Sequence, residues 1–333
     1  MRDAYDGFKT LRSMGLTTRA AMTTAPSARD ADEIAGYLHP TYAESLAEFG
    51  TPVFLPASQG WILRRQIPGT PYYDAMGCYP LFTCRDWSRL ETDLASIGTD
   101  LVSLALVADP FGDYEYTSLK RCFSTVFPFK EHFIVDLSLP VTTSISAHHR
   151  YYGRKAQRAV RVELCPDPTR FLEEWLVLYD NLKARQRIRG IAEFSKRAFE
   201  VQMRVPGAVM FRGVCGGDTV GMMIWYVCDR KGYWHLSAYS QVGYQLRASY
   251  ALLSYAIEYF GAEGCCWLDL GANAGISGNS EDGLAQFKRG WATGTRPVYF
   301  CGRIFHQDTY AEICRQRGGG PTQYFPAYRS GEF

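Results

Sequence analysis

Residues 265–278 read CCWLDLGANAGISG, an apolar run followed by an acidic residue and glycines. Glycines at the end of a strand let backbone N–H groups come close to an anion or a ribose, so Trp267 to Gly275 has the makings of a nucleotide loop. Two basic groups could hold phosphates: Arg64 and Arg65 in GWILRRQIPG, and Arg150, Arg154, Lys155 and Arg158 in HHRYYGRKAQRAVRVEL. Helical spacing puts Arg150, Arg154 and Arg158 on one face. Arg64 and Arg65, adjacent on a strand, point to opposite sides, so at most one looks into a cleft. A charge run is most often a solvated face. Taken alone, Lys288 in GLAQFKRGW reads as a solvated cation on a short helix, Asp109 before Pro110 as a turn or cap, and His235 on an alternating strand as a core histidine.

Several classes of chemistry are set aside. A methyltransferase places its glycine loop after the first strand of a Rossmann sheet, with strands to follow and an acid for the ribose about 20 residues on. Here Asp269 is close to the end of the chain, one good strand follows it, and position 289 is Arg. GxSxG and HExxH, the marks of a nucleophile elbow and a zinc protease, are absent. The 10 cysteines are scattered through apolar stretches without a CxxC pair, which reads as reduced core thiols and no metal site. A net charge of +2 demands no polyanionic partner. No apolar run approaches the roughly 18 to 20 residues that span a bilayer, and the first residues lack the apolar core of a signal peptide, so a cytoplasmic location is expected.

At 333 residues, with 47% apolar residues, the chain can fill two ordinary cores. From Ala208 the runs AVMFRGVC, TVGMMIWYVC and YWHLSAYS, separated by GGD and DRKG, predict an antiparallel meander. RASYALLSYAIEYF predicts a helix ended by Gly261 and Gly264; then come the strand CCWLDL, a helix DGLAQFKRG with Asp282 as N-cap, and the strand RPVYFCGRIF. Upstream, PTRFLEEWLVLYDNLKARQ and FSKRAFEVQM predict two helices. The first half repeats the order: a helix in DEIAGYLHPTYAESLAEF, strands TPVFL, GWILRRQI and YYDAMGCYPLF, a helix in DWSRLETDLASI, the strand DLVSLALVA, a helix near YEYTSLKRCF and the strand KEHFIVDLSL. Two halves with one element order predict a duplicated α+β (mixed α/β) domain rather than one large sheet. Expected boundaries are an extension over 1–29, a first domain over 30–145, a second over 146–310, and a Gly- and Pro-rich tail over 311–333. Neither end is expected to carry chemistry, and Met22 offers an alternative start.

The basic segment, the helices around FLEEWLVLYDNL, the meander ending YWHLSAYS, the helix ALLSYAIEYFGAEG, and above all LDLG followed by DGLAQFKRGW resemble the second domain of the FemABX-type transferases. They are equally similar to the FemAB-like acetyltransferases of the GNAT superfamily. The likeness covers about 148–305, and about 33–140 by element order and the segment LVADPF. It implies two tandem GNAT-like domains, each a mixed, mostly antiparallel twisted sheet flanked by helices, the second being the catalytic donor domain. It also implies direct attack of an amine on an acyl donor whose arm enters where the fourth and fifth strands, YWHLSAYS and CCWLDL, splay apart.

On that resemblance Lys288 matches the lysine beside the donor's terminal ester, which helps stabilise the transition state, and Phe287 an aromatic of the same site. Asp109 matches an acid near the acceptor amine. Tyr239, Gln241, Gly243 and Arg247, in and before SQVGYQLRASYALL, fall where the donor binds. Arg64, Arg65, Arg150 and Arg154 are candidates for the phosphates of a nucleotide-linked acceptor or of tRNA.

Departures from the family refine the expectation. An acetyl-coenzyme A user carries Q/R-x-x-G-x-G/A before the helix after the fourth strand, because successive N–H groups bind pyrophosphate there. This chain has only Gly243, which favours an aminoacyl-tRNA donor. FemABX enzymes usually have an acid in the strand after the lysine helix, whereas RPVYFCGRIF has none; nor is there a coiled-coil arm between Phe260 and Lys288. The expected function is transfer of an aminoacyl group from the 3′ end of aminoacyl-tRNA to the amine of a small molecule or cell-envelope precursor, with no resident cofactor or metal. The alternatives are an acyl-coenzyme A-dependent N-acyltransferase acting on a sugar or natural-product amine, and a degenerate GNAT-like binding protein. The glycines of the opening stretch become a wall of the transfer cleft, leading through SGNSED to Lys288.

Overall fold

Alternation along the strands sorts side chains to two sides of a sheet. In AVMFRGVC, Val209 and Phe211 pack into one core while Met210 enters another. The computed structural model describes residues 34–273, 283–318, 322 and 324–332. The N-terminal extension with Met22, and the segment SGNSED with Asp282, lie outside the described residues.

The strands are β1 (Thr51–Leu55), β2 (Gly60–Gln66), β3 (Tyr73–Gly77), β4 (Ser103–Val107), β5 (Thr125–Asp136), β6 (Arg161–Cys165), β7 (Ala208–Cys215), β8 (Asp218–Cys228), β9 (Lys231–Tyr239), β10 (Trp267–Asp269) and β11 (Gly294–Ile304). The helices are α1 (Pro40–Ser45), α2 (Leu90–Ile97), α3 (Tyr116–Cys122), α4 (Val141–Ser144), α5 (Ala147–Gln157), α6 (Leu172–Gln186), α7 (Lys196–Gln202), α8 (Gln241–Gln245), α9 (Ala248–Ala262), α10 (Gly283–Trp291) and α11 (Gln307–Gln316). Turn chemistry builds the meander: Asp229 and Arg230, both at positive φ, make a two-residue hairpin loop, a geometry that suits the twist of the strands. Strand β6 was not expected; its residues close the basic segment HHRYYGRKAQRAVRVEL, where the arginines obscure the alternation in VELC.

The halves do not form separate sheets. One sheet of 11 strands runs β1-β2-β3-β4-β11-β5-β10-β9-β8-β7-β6. The element order is duplicated as expected, but the last strands are exchanged: β11 of the second half pairs with β4, and β5 of the first half pairs with β10. β5 and β11 then pair antiparallel with each other at the centre. Sequence pattern specifies that a segment is a strand, not which strand lies beside it, and an exchange of two similar strands leaves every local signal unchanged. Parallel pairs occur once in each half, β3 with β4 and β9 with β10.

Helices α6 and α7 cover one face through Trp175, Leu178, Tyr179 and Phe199. Helices α5, α9 and α10 cover the other through Ala156, Leu252, Leu253, Phe260 and Trp291. These are called the α6 face and the α9 face below. The tail is anchored to the first half. Helix α11 and Tyr328 pack on Ile67 and Val102, and Arg329 donates to both carboxylate oxygens of the fully buried Asp74 at 2.5 and 2.9 Å. No helix among the described residues is long and apolar enough to cross a membrane.

Candidate active site

Strands β9 and β10 part company after three residues. The pairs Lys231–Trp267, Gly232–Leu268 and Tyr233–Asp269 are made, and then the chain leaving β10 stays with β5: Leu270 N–H donates to Phe133 O (2.9 Å) and Phe133 N–H to Gly271 O (3.1 Å). Strand β9 continues to Tyr239 on β8, with a bulge at His235 where the register with Ile224 and Trp225 shifts. Bulges bend a strand and re-aim its side chains, and this one falls where the gap opens. In the first half the equivalent place beside β4 is filled by the returning chain, with Phe82 fully buried and bonded to Val107 O (2.7 Å) and Asp109 N (3.0 Å). Among the described residues, only the second half leaves a gap.

Lys288 sits at that gap. In α10, Ala285, Lys288 and Trp291 share the buried side. The Lys288 ammonium donates to Ala272 O (2.6 Å) and lies 5.3 Å from the Trp234 ring centre, so it bridges the two diverging strands on the α9 face. At 8% exposure it is no solvated surface cation. The positive φ of Gly271 (+73°) turns the chain beneath it, and a Cβ there would stand 3.3 Å from the lysine nitrogen. Phe287 meets Tyr250 edge-on at 4.9 Å and Trp234 at 6.4 Å. Gly271 to Asn273 thus form a wall beside Lys288; the rest of the glycine stretch lies outside the described residues.

A different set of polar groups occupies the α6 face. Asp269, the last paired residue of β10, accepts from Gly271 N (2.7 Å) and contacts Nδ1 of His132 on β5 at 2.8 and 3.0 Å. Across the strand pair, Tyr233 donates to Asp109 Oδ2 (2.9 Å), and Phe111 N–H donates to Asp109 Oδ1 (2.8 Å). Burial raises the Asp109 carboxyl above the usual carboxylate range despite these donors. Tyr37 bonds His235 Nδ1 (3.1 Å), and Nε2 faces Gln202 Oε1 (3.3 Å). Burial pushes the His235 imidazole down to about 3, so it is the neutral core histidine expected from its strand. A cavity of about 150 Å³ lies here, walled by Tyr37, Thr83, Arg85, Asp109, Lys231 and Tyr233.

Residues 144–289 match the family model described as an acetyltransferase (GNAT) domain. Among solved structures the chain is similar to FemX, at 16% identity over 82% of this chain and 93% of that one, with a TM-score of 0.61. It is also similar to the C-terminal domain of a putative lysylphosphatidylglycerol synthetase from Agrobacterium fabrum, at 13% identity over 83% and 91% with a TM-score of 0.58. A third is L-PGS from Bacillus licheniformis, at 18% identity over 81% and 94% with a TM-score of 0.55. No curated protein sequence matches the chain. This is a FemAB-like GNAT fold. Residues 144–289 form its acetyltransferase-type (GNAT) domain, and β9 and β10 are the splayed strands of that unit.

The GNAT frame sorts the remaining candidates. Gly243 does not serve an anion: its N–H donates to Ser240 Oγ (3.1 Å), and a Cβ would come 1.9 Å from Val220 O, so glycine is required for packing on β8. Tyr239 is a buried ring over Gly221. Gln241 is exposed on α8. Arg247, exposed at φ +57°, lays its guanidinium 3.8 Å over Tyr152. Arg154, Lys155 and Arg158 are exposed, and half-buried Arg150 donates to Ile145 O. Arg64 stacks 3.4 Å over Tyr73.

Arg65 is corrected outright. Buried at 8% exposure, it pairs with Asp74 (3.3 Å) and Glu332 (3.4 Å), a structural tie to the tail and not a phosphate grip. Asp109 and Lys288 are not brought together, because they reach opposite faces through adjacent residues of β9, Tyr233 and Trp234. Reading the sequence missed the His132–Asp269 pair, whose members are separated by 137 positions. The acid in LDLG was in view, but nothing local marks its histidine.

Proposed function

We propose that this protein moves an aminoacyl group from the 3′-terminal ester of an aminoacyl-tRNA to an amine of a small-molecule or cell-envelope acceptor. The observation that carries the reading is the buried Lys288 ammonium between Ala272 O and the Trp234 ring at the β9/β10 gap. Attack of the amine on the ester carbonyl forms the C–N bond and puts negative charge on the carbonyl oxygen. A fixed cation in a water-poor site stabilises that charge more than water does, an effect on the order of 10² to 10³ in rate for one well-placed donor.

The tRNA donor is supported by the route leading away from the lysine. Phe287, Tyr250, Tyr152 and Arg247 succeed one another at ring separations of 4.9, 5.8 and 3.8 Å, ending beside the basic end of α5. Aromatic and arginine surfaces stack single-stranded bases, and arginine and lysine hold their phosphates. Gly243, whose N–H is bound to Ser240, supplies no backbone pyrophosphate loop. One structural neighbour is named for an aminoacylated lipid, which agrees with an aminoacyl donor. The family model's description as an acetyltransferase supports a second reading, with acyl-coenzyme A as donor.

The test offers charged tRNA or acyl-coenzyme A with a panel of amines, before and after ribonuclease treatment. Ribonuclease-sensitive amide formation that Lys288→Ala abolishes is expected. Turnover that survives ribonuclease transfers the donor to coenzyme A, and turnover that survives Lys288→Ala removes the site assignment.

A further inference from the structure

The acyl-transfer reading needs a group that takes the proton from the attacking amine, and Lys288, a cation on the α9 face, cannot be that base. We propose that His132, oriented by Asp269, is the general base; the inference rests on that reading and names a second residue for it. Asp269 is the last residue at which β10 still pairs with β9, so its carboxylate marks the point where the gap opens. Register places Asp269 opposite Ile134 of β5, and His132, two residues away, projects to the same side. The imidazole Nδ1 lies 2.8 and 3.0 Å from the two carboxylate oxygens, and the carboxylate is itself held by Gly271 N–H at 2.7 Å. With Nδ1–H donated to the carboxylate, the basic lone pair is on Nε2, and no described residue hydrogen-bonds that atom.

The pair also stands correctly against Lys288. Asp269 is three positions before Ala272, whose carbonyl holds the lysine, yet His132 and Lys288 project from opposite faces of the sheet. An amine arriving from the α6 face and a donor arriving from the α9 face meet in the gap between them. The strand exchange gains a purpose from this: β5, a first-half strand inserted between β10 and β11, delivers the base to the second-half site. It also compensates for the acid missing from β11, where the position paired with His132 is Arg296. The charged and titratable groups around the imidazole are Asp269 on β10, Tyr233 on β9 with its partner Asp109, and Arg296 on β11 with its guanidinium over Trp267 and Phe111. On its own strand Lys130 donates to Asn273 O.

In the step, the amine nitrogen bonds to the ester carbonyl carbon as its proton passes to His132 Nε2. The C–O bond then breaks, its electron pair leaves on the ribose oxygen, and that oxygen takes the proton back from His132. Amide and free 3′-hydroxyl result, with no other reactant.

The test uses the full chain with charged tRNA and the best amine from the panel above. His132→Gln and His132→Ala are expected to lower kcat by about 10² to 10⁴, to leave the donor KM in place and to lose the acidic limb of the kcat–pH profile, with imidazole partly restoring His132→Ala. Asp269→Asn, which keeps an acceptor for Gly271 N–H, is expected to lower kcat while Asp269→Glu recovers part of it. If His132→Ala transfers at more than one-third of the wild-type rate with its pH profile intact while Lys288→Ala is dead, the pair is a structural tie and the base assignment fails alone. If wild-type protein transfers no acyl group from either donor, both readings fall. Should the variants not fold, ¹⁵N spectra of the wild-type imidazole decide: a proton resident on Nε2 at neutral pH overturns the proposal.

Discussion

Lys288 shows what a buried cation costs and what it can return. An ammonium drawn out of water loses several kcal/mol of hydration, which the Ala272 carbonyl and the Trp234 face help to recover. Lys288→Met removes that cost, so the variant is expected to melt no lower than wild type while kcat falls by about 10² to 10³. A Tm loss paralleling the activity loss would make the lysine structural. Gly271→Ala perturbs the same point from below. Its φ of +73° costs a non-glycine residue about 1 to 2 kcal/mol, and the new methyl group presses on Nζ at 3.3 Å. Lower Tm and lower kcat together are expected, separable from Lys288→Met by thermal melts. His235 gives a pH dependence with a definite sign. An unfolded imidazole titrates near 6.5, while the buried one is pushed down to about 3. Below about 6.5 the unfolded chain binds a proton that the native state refuses, so stability is lost as pH falls towards 3, by up to about 1.4 kcal/mol per pH unit. His235→Gln, which can still bond Tyr37 and Gln202, is expected to flatten the urea midpoint between pH 6.5 and 4 by that one-proton slope. At this scale the sequence is legible where a motif surrounds the residue, as with Lys288, and where strand alternation buries it, as with His235. It is silent where partners come from afar. Arg65 and Arg64 looked alike until Asp74 and the tail claimed Arg65.

Among the elements, alternation and turns carried most of the information. GGD and DRKG mark the hairpins of β7, β8 and β9, and the apolar spacing of Leu252, Leu253, Ala256, Ile257 and Phe260 marks the buried side of α9, all of which are buried as that spacing requires. Pairing was not legible. β5 and β11 are both strands that follow a short helix, and nothing in FIVDL or VYFCGRIF states that they trade places. The exchange has a mechanical consequence. Without β5, strand β10 loses its antiparallel partner and β11 loses the central pairing that holds it, while β10 has only three residues with which to hold its neighbours. A fragment of residues 146–333 is therefore expected to show no cooperative unfolding transition, and co-expression with residues 1–145 to restore one. Cooperative folding of the isolated fragment would mean that β11 can return to a place beside β10, making the exchange optional.

Across the whole molecule the net charge is small, so any attraction for a nucleic acid has to be local. The candidate place for it is α5, whose sequence AHHRYYGRKAQ contains no acid and whose last turn carries Arg154 and Lys155. Cations there also complement the helix dipole, which gives them a structural use independent of any ligand. Binding measurements separate the two uses. If this face holds the 3′ strand of a tRNA, the affinity for charged tRNA falls steeply with salt, by about 0.7 in log K per log unit of salt for each phosphate neutralised on a single strand. The triple substitution of Arg154, Lys155 and Arg158 by Gln is expected to weaken binding for every tRNA sequence alike and to reduce that slope by about two. Tyr152→Ala, which removes the surface under Arg247, is expected to cost about 1 to 3 kcal/mol in affinity with little change of slope, since stacking does not release counterions. A wild-type slope near zero, or a triple variant with an unaltered slope, would leave α5 a purely structural helix. The nucleotide portion of the donor would then have to be sought elsewhere on the α9 face.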